Sequence, residues 1–271
     1  MLYLERKPSP PLARFIRSFW YTNAPDLPHQ REYVMPGGLL QIIISLATDS
    51  LTDCGADSGE DSLNICRPLP SAILVGARTR YDIVHTRDMA ELIGIVFHPG
   101  GLGPWLRQSA DNFYERSVAL DDLWPMKELR DRISDQKTPE QKLAALDTII
   151  LDRLRGRPIE RKSIVKAAIR NLRERDVAQT ARSLGVSDRR LRQIFQEDVG
   201  LSPKQWSRIQ RFQHALQILH TGEEMRWDQL ALQCGYYDQP HFCNDFHAFS
   251  GIDPTTYTAR RGRWRNHVIL D

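Results

Sequence analysis

The sequence predicts a mixed α/β two-domain protein. Residues 1–155 form a β-rich N-terminal domain, and residues 156–271 form an all-α C-terminal domain with two helix-turn-helix units. Three observations predict this. Short β-branched runs bounded by Pro and Gly dominate the first half, helical spacing of apolar residues takes over after about residue 121, and one helical pattern occurs twice near the end. A length of 271 residues also favours two domains over one.

In the first domain, Gly38–Ala47 (GLLQIIISLA) follows Pro36-Gly37 and reads as a buried strand. Asp49–Asn64 is rich in Gly, Asp and Ser, the composition of an exposed loop or hairpin connection. Ser71–Gly76 (SAILVG) and Glu91–Phe97 (ELIGIVF) supply two more strands. Pro99-Gly100-Gly101 turns the chain before a short helix over Leu102–Ser109. Between 121 and 150, LDDLWPMKELRDRI and PEQKLAALDTIILDRLRG space their apolar residues as helices do. Gly156-Arg157-Pro158 then punctuates the chain and places the boundary near 150–160.

Beyond it, Ile164, Val165, Ala168, Ile169 and Leu172 share one helical face, through about Arg175. Asp176 is placed to cap a short helix, Val177–Leu184, with Gly185 just past its end. Ser187 is placed to cap the next helix, Asp188 to about Glu197. Ser202-Pro203, a cap followed by proline at the first helical position, opens a long helix to about His220. Its core face is Trp206, Ile209, Phe212, Leu216 and Leu219.

The short-helix pattern then recurs. Ala181–Gly185 (ARSLG) matches Ala231–Gly235 (ALQCG) at an offset of 50. The second turn gains one residue, Tyr236-Tyr237 answering Val186, so the offset becomes 51. Ser187 then pairs with Asp238, Leu191 with Phe242, Phe195 with Phe246, Gly200 with Gly251, Pro203 with Pro254 and Trp206 with Tyr257. The paired positions keep their physical roles: a cap, two apolar residues four apart, a helix-ending glycine and a helix-opening proline. Two helices joined by a turn of about 3–4 residues are a helix-turn-helix unit. A single copy arises by chance in helical hairpins, whereas two in register within one region do not.

The charge distribution agrees. Residues 1–150 carry 16 Lys+Arg against 20 Asp+Glu, a net of −4, and residues 151–271 carry 21 against 14, a net of +7. A basic half suits phosphate. With Leu/Phe turned to the core, the opposite face of each second helix is available to a major groove. In the first unit that face carries Arg189, Arg190, Arg192, Gln193 and Gln196; in the second it carries Gln239, His241, Asn244 and Asp245. Arginine matches the guanine edge, Asn and Gln match adenine, and Asp245 either accepts from cytosine or pairs with a nearby arginine. Arg182, Ser187, Lys204, Arg208 and Arg211 are expected beside the DNA backbone, positioning without reading. The tail arginines Arg260, Arg261, Arg263 and Arg265 either join them or belong to a frayed terminus.

On these residues the chain resembles the AraC/XylS family of bacterial transcription regulators. AQTARSLGVSDRRLRQIFQEDVGLSPKQW resembles the family's first helix-turn-helix, and LALQCGYYDQPHFCNDFHAFSGIDPTTY its signature segment, together covering about 165–260. The resemblance implies base-reading positions early in each second helix: Arg189, Arg192 and Gln193, then Gln239, His241 and Asn244. Many members carry arginine where this chain has Asn244, which implies a less basic second unit. VMPGGLLQIIISL, LVGARTR, GIVFHPGGLGPWL and ALDDLW resemble the cupin-like sensing domain of some members. That implies a β-rich domain that binds a small-molecule effector or mediates self-association, with a homodimer and RNA polymerase as candidate partners and transcription activation as one implied role. The effector and its residues stay unknown.

Other candidate sites are weaker. His29, His85 and His98 are scattered without an HxH pair, so no metal and no cofactor are expected. His98 and Ser109 make no triad, so no catalytic residue is assigned and the chain is not expected to be an enzyme. A nucleic-acid or protein adaptor, and an enzyme with an unidentified N-terminal site, are the alternative readings. Arg78 and Arg80, near Tyr81, suit a surface salt bridge first and an anionic effector or partner helix second. Trp20, Trp105 and Trp124 read as core, or as lining for a pocket or interface. Cys54, Cys66, Cys234 and Cys243 form no CxxC pair, which favours a reducing compartment and leaves a Cys54–Cys66 bridge as the minor alternative. No apolar run approaches the ~20 residues of a membrane span, and no signal-peptide pattern opens the chain, so no membrane partner and a cytoplasmic location are expected.

Overall fold

A computed structural model describes residues 1–54, 66–106, 108–124, 127–154, 163–223 and 225–270. The N-terminal strands are β1 (Leu2–Arg6), β2 (Ile16–Asn23), β3 (Arg31–Val34), β4 (Gln41–Ser45), β5 (Ser50–Asp53), β6 (Arg67–Pro70), β7 (Ala72–Val75), β8 (Asp82–His85), β9 (Glu91–Phe97) and β10 (Ser117–Ala119). Three helices follow or interleave: α1 (Gly103–Leu106), α2 (Lys127–Ser134) and α3 (Pro139–Leu154). The main sheet is six-stranded and antiparallel, in the order β1-β2-β9-β4-β7-β10.

The two-residue period of a strand sorts this sheet's faces. Phe19 and Tyr21, Ile42 and Ile44, Ala72 and Leu74, and Ile93 and Ile95 turn one way and are buried with Leu129, Ile133, Leu143, Leu146, Ile149 and Ile150 of α2 and α3. Trp105 and Trp124 join this core edge to face, 5.9 Å apart. The alternate residues, including Trp20, Ile43, Ile73, Val75 and Val96, face a cavity of about 2230 Å³. Gly94 is required there, because a Cβ on it would sit 2.3 Å from the Trp20 indole. Trp20 thus lines a pocket, while Trp105 and Trp124 are core.

The all-α part comprises α4 (Ser163–Asn171), α5 (Val177–Ser183), α6 (Asp188–Val199), α7 (Pro203–Thr221), α8 (Trp227–Gln233), α9 (Gln239–Ser250) and α10 (Pro254–Arg260). Its core runs from Val165 to Val268 and takes in Met35 and Ala77. The expected boundary punctuation, Gly156-Arg157-Pro158, lies outside the described residues. So does most of the expected Asp49–Asn64 loop, whose start is the strand β5.

One open alternative is resolved and one expectation is corrected. The basic tail is not frayed: β11 (His267–Ile269) pairs antiparallel with β3, in the register His267↔Val34, Val268↔Tyr33 and Ile269↔Glu32. It forms a second sheet, β11-β3-β8, which joins the two ends of the chain. Cys54 and Cys66 are bonded to each other, where the sequence favoured free thiols; Cys234 and Cys243 are free. Pairing of β5 with β6 explains the bond, since the ladder Asp53↔Arg67 leads directly into the two cysteines.

Candidate nucleic-acid interface

Both helix-turn-helix units are present, and their repeat holds in atomic detail. Ser187 Oγ accepts from the Arg190 amide at the start of α6, and Asp238 Oδ1 accepts from the His241 amide at the start of α9. Each cap meets an otherwise unpaired helical N–H. Gly200 and Gly251 end these helices in the left-handed region, at φ of 82° and 70°. Ser202 and Asp253 then cap α7 and α10 with proline at the first positions. Leu191, Phe195, Phe242 and Phe246 are fully buried, and Trp206 and Tyr257 close the core beside them. Burial of each such side chain stabilises its unit by about 2–3 kcal/mol.

With those residues inward, the opposite faces are outward. Arg189, Arg190, Arg192, Gln193 and Gln196 are exposed on α6, as are Gln239 and Asn244 on α9. Gln193 Nε2 donates to Glu197 Oε1 at 2.8 Å, one turn on. His241 is half-buried: its ring packs edge to face on Tyr236, 5.3 Å away, and its Nε2 lies 4.0 Å from Asp245 Oδ2. Arg182 and Lys204 are exposed. Ser187 keeps its hydroxyl at the solvent-facing helix start while capping it.

Two residues stand elsewhere than the sequence placed them, and a third takes the inner of its two offered roles. Asp245 is buried and accepts from Arg208, Nη2 to Oδ1 at 2.6 Å and Nε to Oδ2 at 3.2 Å, the second of the two roles its position offered. Arg208, expected beside DNA, therefore ties α7 to α9 and lies over the Phe249 ring. The hydrogen bond to Asp245 raises its already high pKa. Arg211 donates to the Gly235 carbonyl at 3.2 Å and lies over the Tyr236 ring, so it braces the second turn. Burial pushes the Tyr236 phenol up. Helical periodicity placed both arginines on the polar side of α7 without showing that α8 and α9 fold against that side.

Tyr237, to which the sequence reading gave no site role, is the extra residue of the second turn, precedes the cap of α9, and is 86% exposed. The change of offset from 50 to 51 was its only trace in the sequence.

The N-terminal domain packs behind these faces. Gln205 Nε2 donates to Tyr114 Oη at 3.1 Å, Gln213 Nε2 to the Pro36 carbonyl at 2.8 Å, and the Tyr81 amide to the Phe249 carbonyl at 2.8 Å. Glu32 of β3 is buried between His29 and His267, whose ring nitrogens lie 2.5 and 2.6 Å from its oxygens. Burial opposes its charge, but the hydrogen bonds and charges of His267 and His29 prevail and hold it below its usual pKa. Of the tail arginines, Arg261 is anchored through its side chain, Nη1 donating to the Leu219 carbonyl at 2.9 Å, and Arg265 through its backbone, its carbonyl accepting from Tyr257 Oη at 2.8 Å.

Arg78 is buried rather than on a surface hairpin. Its guanidinium meets Ser117 Oγ at 2.8 Å, the Glu115 carbonyl at 3.1 Å, Asp82 at 3.2 Å and Asp53 at 3.4 Å. Burial raises the pKa of Asp82 against the lowering pull of Arg78. With two carboxylates on it, Arg78 is a poor receptor for an anion. Arg80 is exposed.

A family model described as a helix-turn-helix domain matches residues 180–260, and one for a domain of unknown function (DUF6597) matches residues 4–119. No curated protein matches. Among solved structures, a transcriptional regulator with an AraC-type DNA-binding domain from Chromobacterium violaceum is 26% identical, covering 37% of this chain and 89% of its own, with a TM-score of 0.33. ToxT from Vibrio cholerae, solved with an unsaturated fatty acid, is 14% identical, covering 93% and 96%, with a TM-score of 0.45. ToxT bound to (E)-4-(8-methylnaphthalen-1-yl)but-3-enoic acid is 12% identical, covering 89% and 98%, with a TM-score of 0.48. Among the described residues no helix is long and apolar enough to cross a membrane.

Proposed function

We propose, from the premise that this chain is a DNA-binding transcription regulator with an AraC-type helix-turn-helix domain, that it reads two neighbouring major-groove segments on one face of a duplex. The observation that carries this is the duplicated unit whose second helices keep Arg189, Arg192 and Gln193 on α6 and Gln239 and Asn244 on α9 exposed. Helix α7, 19 residues and therefore ~28 Å long, is a stiff spacer between the units. Major-groove faces recur about every 34–36 Å, so one chain suffices for two contacts.

In this reading Arg189, Arg192 and Gln193 read bases from α6, and Gln239, Asn244 and the half-buried His241 read from α9. Arg182, Ser187, Lys204 and the phenol of Tyr237 meet phosphates, while Arg208 and Arg211 hold the second unit together from within. The large cavity, lined by the main sheet and also by residues of α4, α7 and the tail, is assigned to a small-molecule effector. Self-association and contact with RNA polymerase are the routes by which its occupancy reaches transcription. Hydroxyl-radical footprinting tests the DNA reading. Two protected segments about one helical turn apart, insensitive to excess RNA, are expected. A single protected segment, or competition by RNA, defeats the two-groove assignment. Thermal-shift screening of metabolites tests the cavity, since a ligand that prefers the folded state raises Tm.

A further inference from the structure

Three side chains distant in sequence meet at one end of the β11-β3-β8 sheet. Cys54 leaves β5 and Cys66 enters β6, and Cys66 Sγ lies 3.5 Å from His85 Nε2 at the end of β8. Their ligand atoms all lie within 4.8 Å of one another. The β5–β6 ladder ends at Asp53↔Arg67, so the next residue along from each is a cysteine, Cys54 and Cys66. His85 is fixed by its neighbours: Thr86 donates its amide to the Gln30 carbonyl and its hydroxyl to the His29 carbonyl. The Thr52 amide donates to Asp88 Oδ2, which ties β5 to the turn that follows His85.

We propose that, with the disulfide reduced, Cys54, Cys66 and His85 bind a soft, thiophilic metal ion of the Zn(II) class. A dithiol reductant breaks the S–S bond, is itself oxidised to a disulfide, and leaves two thiols. Each thiol loses its proton to the medium on binding, and neutral His85 offers the Nε2 lone pair, so two protons are released per divalent ion. The geometry suits this donor set. Zn–S and Zn–N bonds of about 2.3 and 2.0–2.1 Å at a tetrahedral angle put S and N about 3.6 Å apart, close to the 3.5 Å between Cys66 and His85. His85 also lines the large cavity, with Asp88 nearby, and three protein ligands leave a fourth position for water or a small ligand. The inference is independent of how the helices read DNA.

The test uses full-length protein, reduced by a dithiol, freed of it without air, and titrated with Co(II) followed by Zn(II). One Co(II) per chain is expected, with thiolate-to-cobalt charge-transfer absorption that Zn(II) displaces. Cys66→Ser should abolish that absorption. His85→Ala should keep part of it and weaken binding by about 10–100-fold or more, at least the loss typical of a disturbed metal environment. Cys243→Ser should bind as the unaltered protein does, and the oxidised protein should not bind. The proposal fails if folded, reduced protein shows no charge-transfer absorption, if Cys66→Ser retains it, or if His85→Ala binds as tightly as the unaltered protein. His85→Ala leaves the cysteine pair intact, so it remains decisive if the cysteine variants fold poorly.

Discussion

Arg208→Ala separates two roles that one arginine on α7 would serve. Its partner Asp245 is buried, with a side chain only 7% exposed, and accepts both hydrogen bonds from the guanidinium. Removing one member of a buried pair costs about 3–5 kcal/mol, because the other charge is left without compensation. Arg208 is itself 35% exposed, so solvent screens part of that. His241 Nε2 stays 4.0 Å from Asp245 Oδ2. Loss of the contact over Phe249 adds roughly 0.5–1 kcal/mol. The expected destabilisation is about 2–3 kcal/mol, read from the shift in urea midpoint for the C-terminal domain. Asp245→Ala made together with Arg208→Ala should recover at least about 1 kcal/mol of the summed single losses, as contacting residues do. At a temperature where the variant is folded, DNA affinity falls but its salt slope does not. Stability unchanged within about 0.5 kcal/mol, with a salt slope smaller by about 0.9, would refute the structural role and put the guanidinium on a phosphate.

Four further outcomes are expected. Arg192→Ala lowers the preference for cognate over scrambled duplex by about 1–3 kcal/mol, and equal losses on both would remove it from base reading. Lys204→Ala weakens all duplexes alike and reduces the salt slope by about 0.9, measured by titration at several salt concentrations. Gly251→Ala places a methyl 2.4 Å from the Tyr81 ring at a φ of 70°, and a loss of about 1–3 kcal/mol in thermal unfolding is expected. Glu32 has a folded pKa below its unfolded value, so its contribution to docking of β11 is present above the ordinary glutamate value of about 4.3 and disappears as pH falls through the lower folded value. Amide exchange of Val268 should accelerate over that acid range in the unaltered protein, and lose this pH dependence in Glu32→Gln.

Local physical chemistry was enough to make the C-terminal domain legible. Caps at Ser187, Asp238, Ser202 and Asp253, apolar residues one turn apart, and glycines with positive φ are written within a few residues of where they act. Their repetition exposed the helix-turn-helix pair and the outer faces of α6 and α9. In the N-terminal domain, β4, β7 and β9 were legible because they lie inside the main sheet and are continuously apolar. The more polar strands β3, β5, β6 and β8 gave no such run, since they lie outside the main sheet, in the β11-β3-β8 and β5-β6 sheets.

Tertiary structure decided everything that depends on two distant segments meeting. Whether Arg208 faces solvent or Asp245 depends on how α9 lies across α7. Whether the tail frays or becomes β11 depends on β3 having an open edge some 230 residues earlier in the chain. Whether Cys54, Cys66 and His85 form a cluster depends on β5, β6 and β8 converging. A hydrogen bond or ion pair is local in space, whereas periodicity and capping are local along the chain, and only the second kind of information can be read before the chain folds.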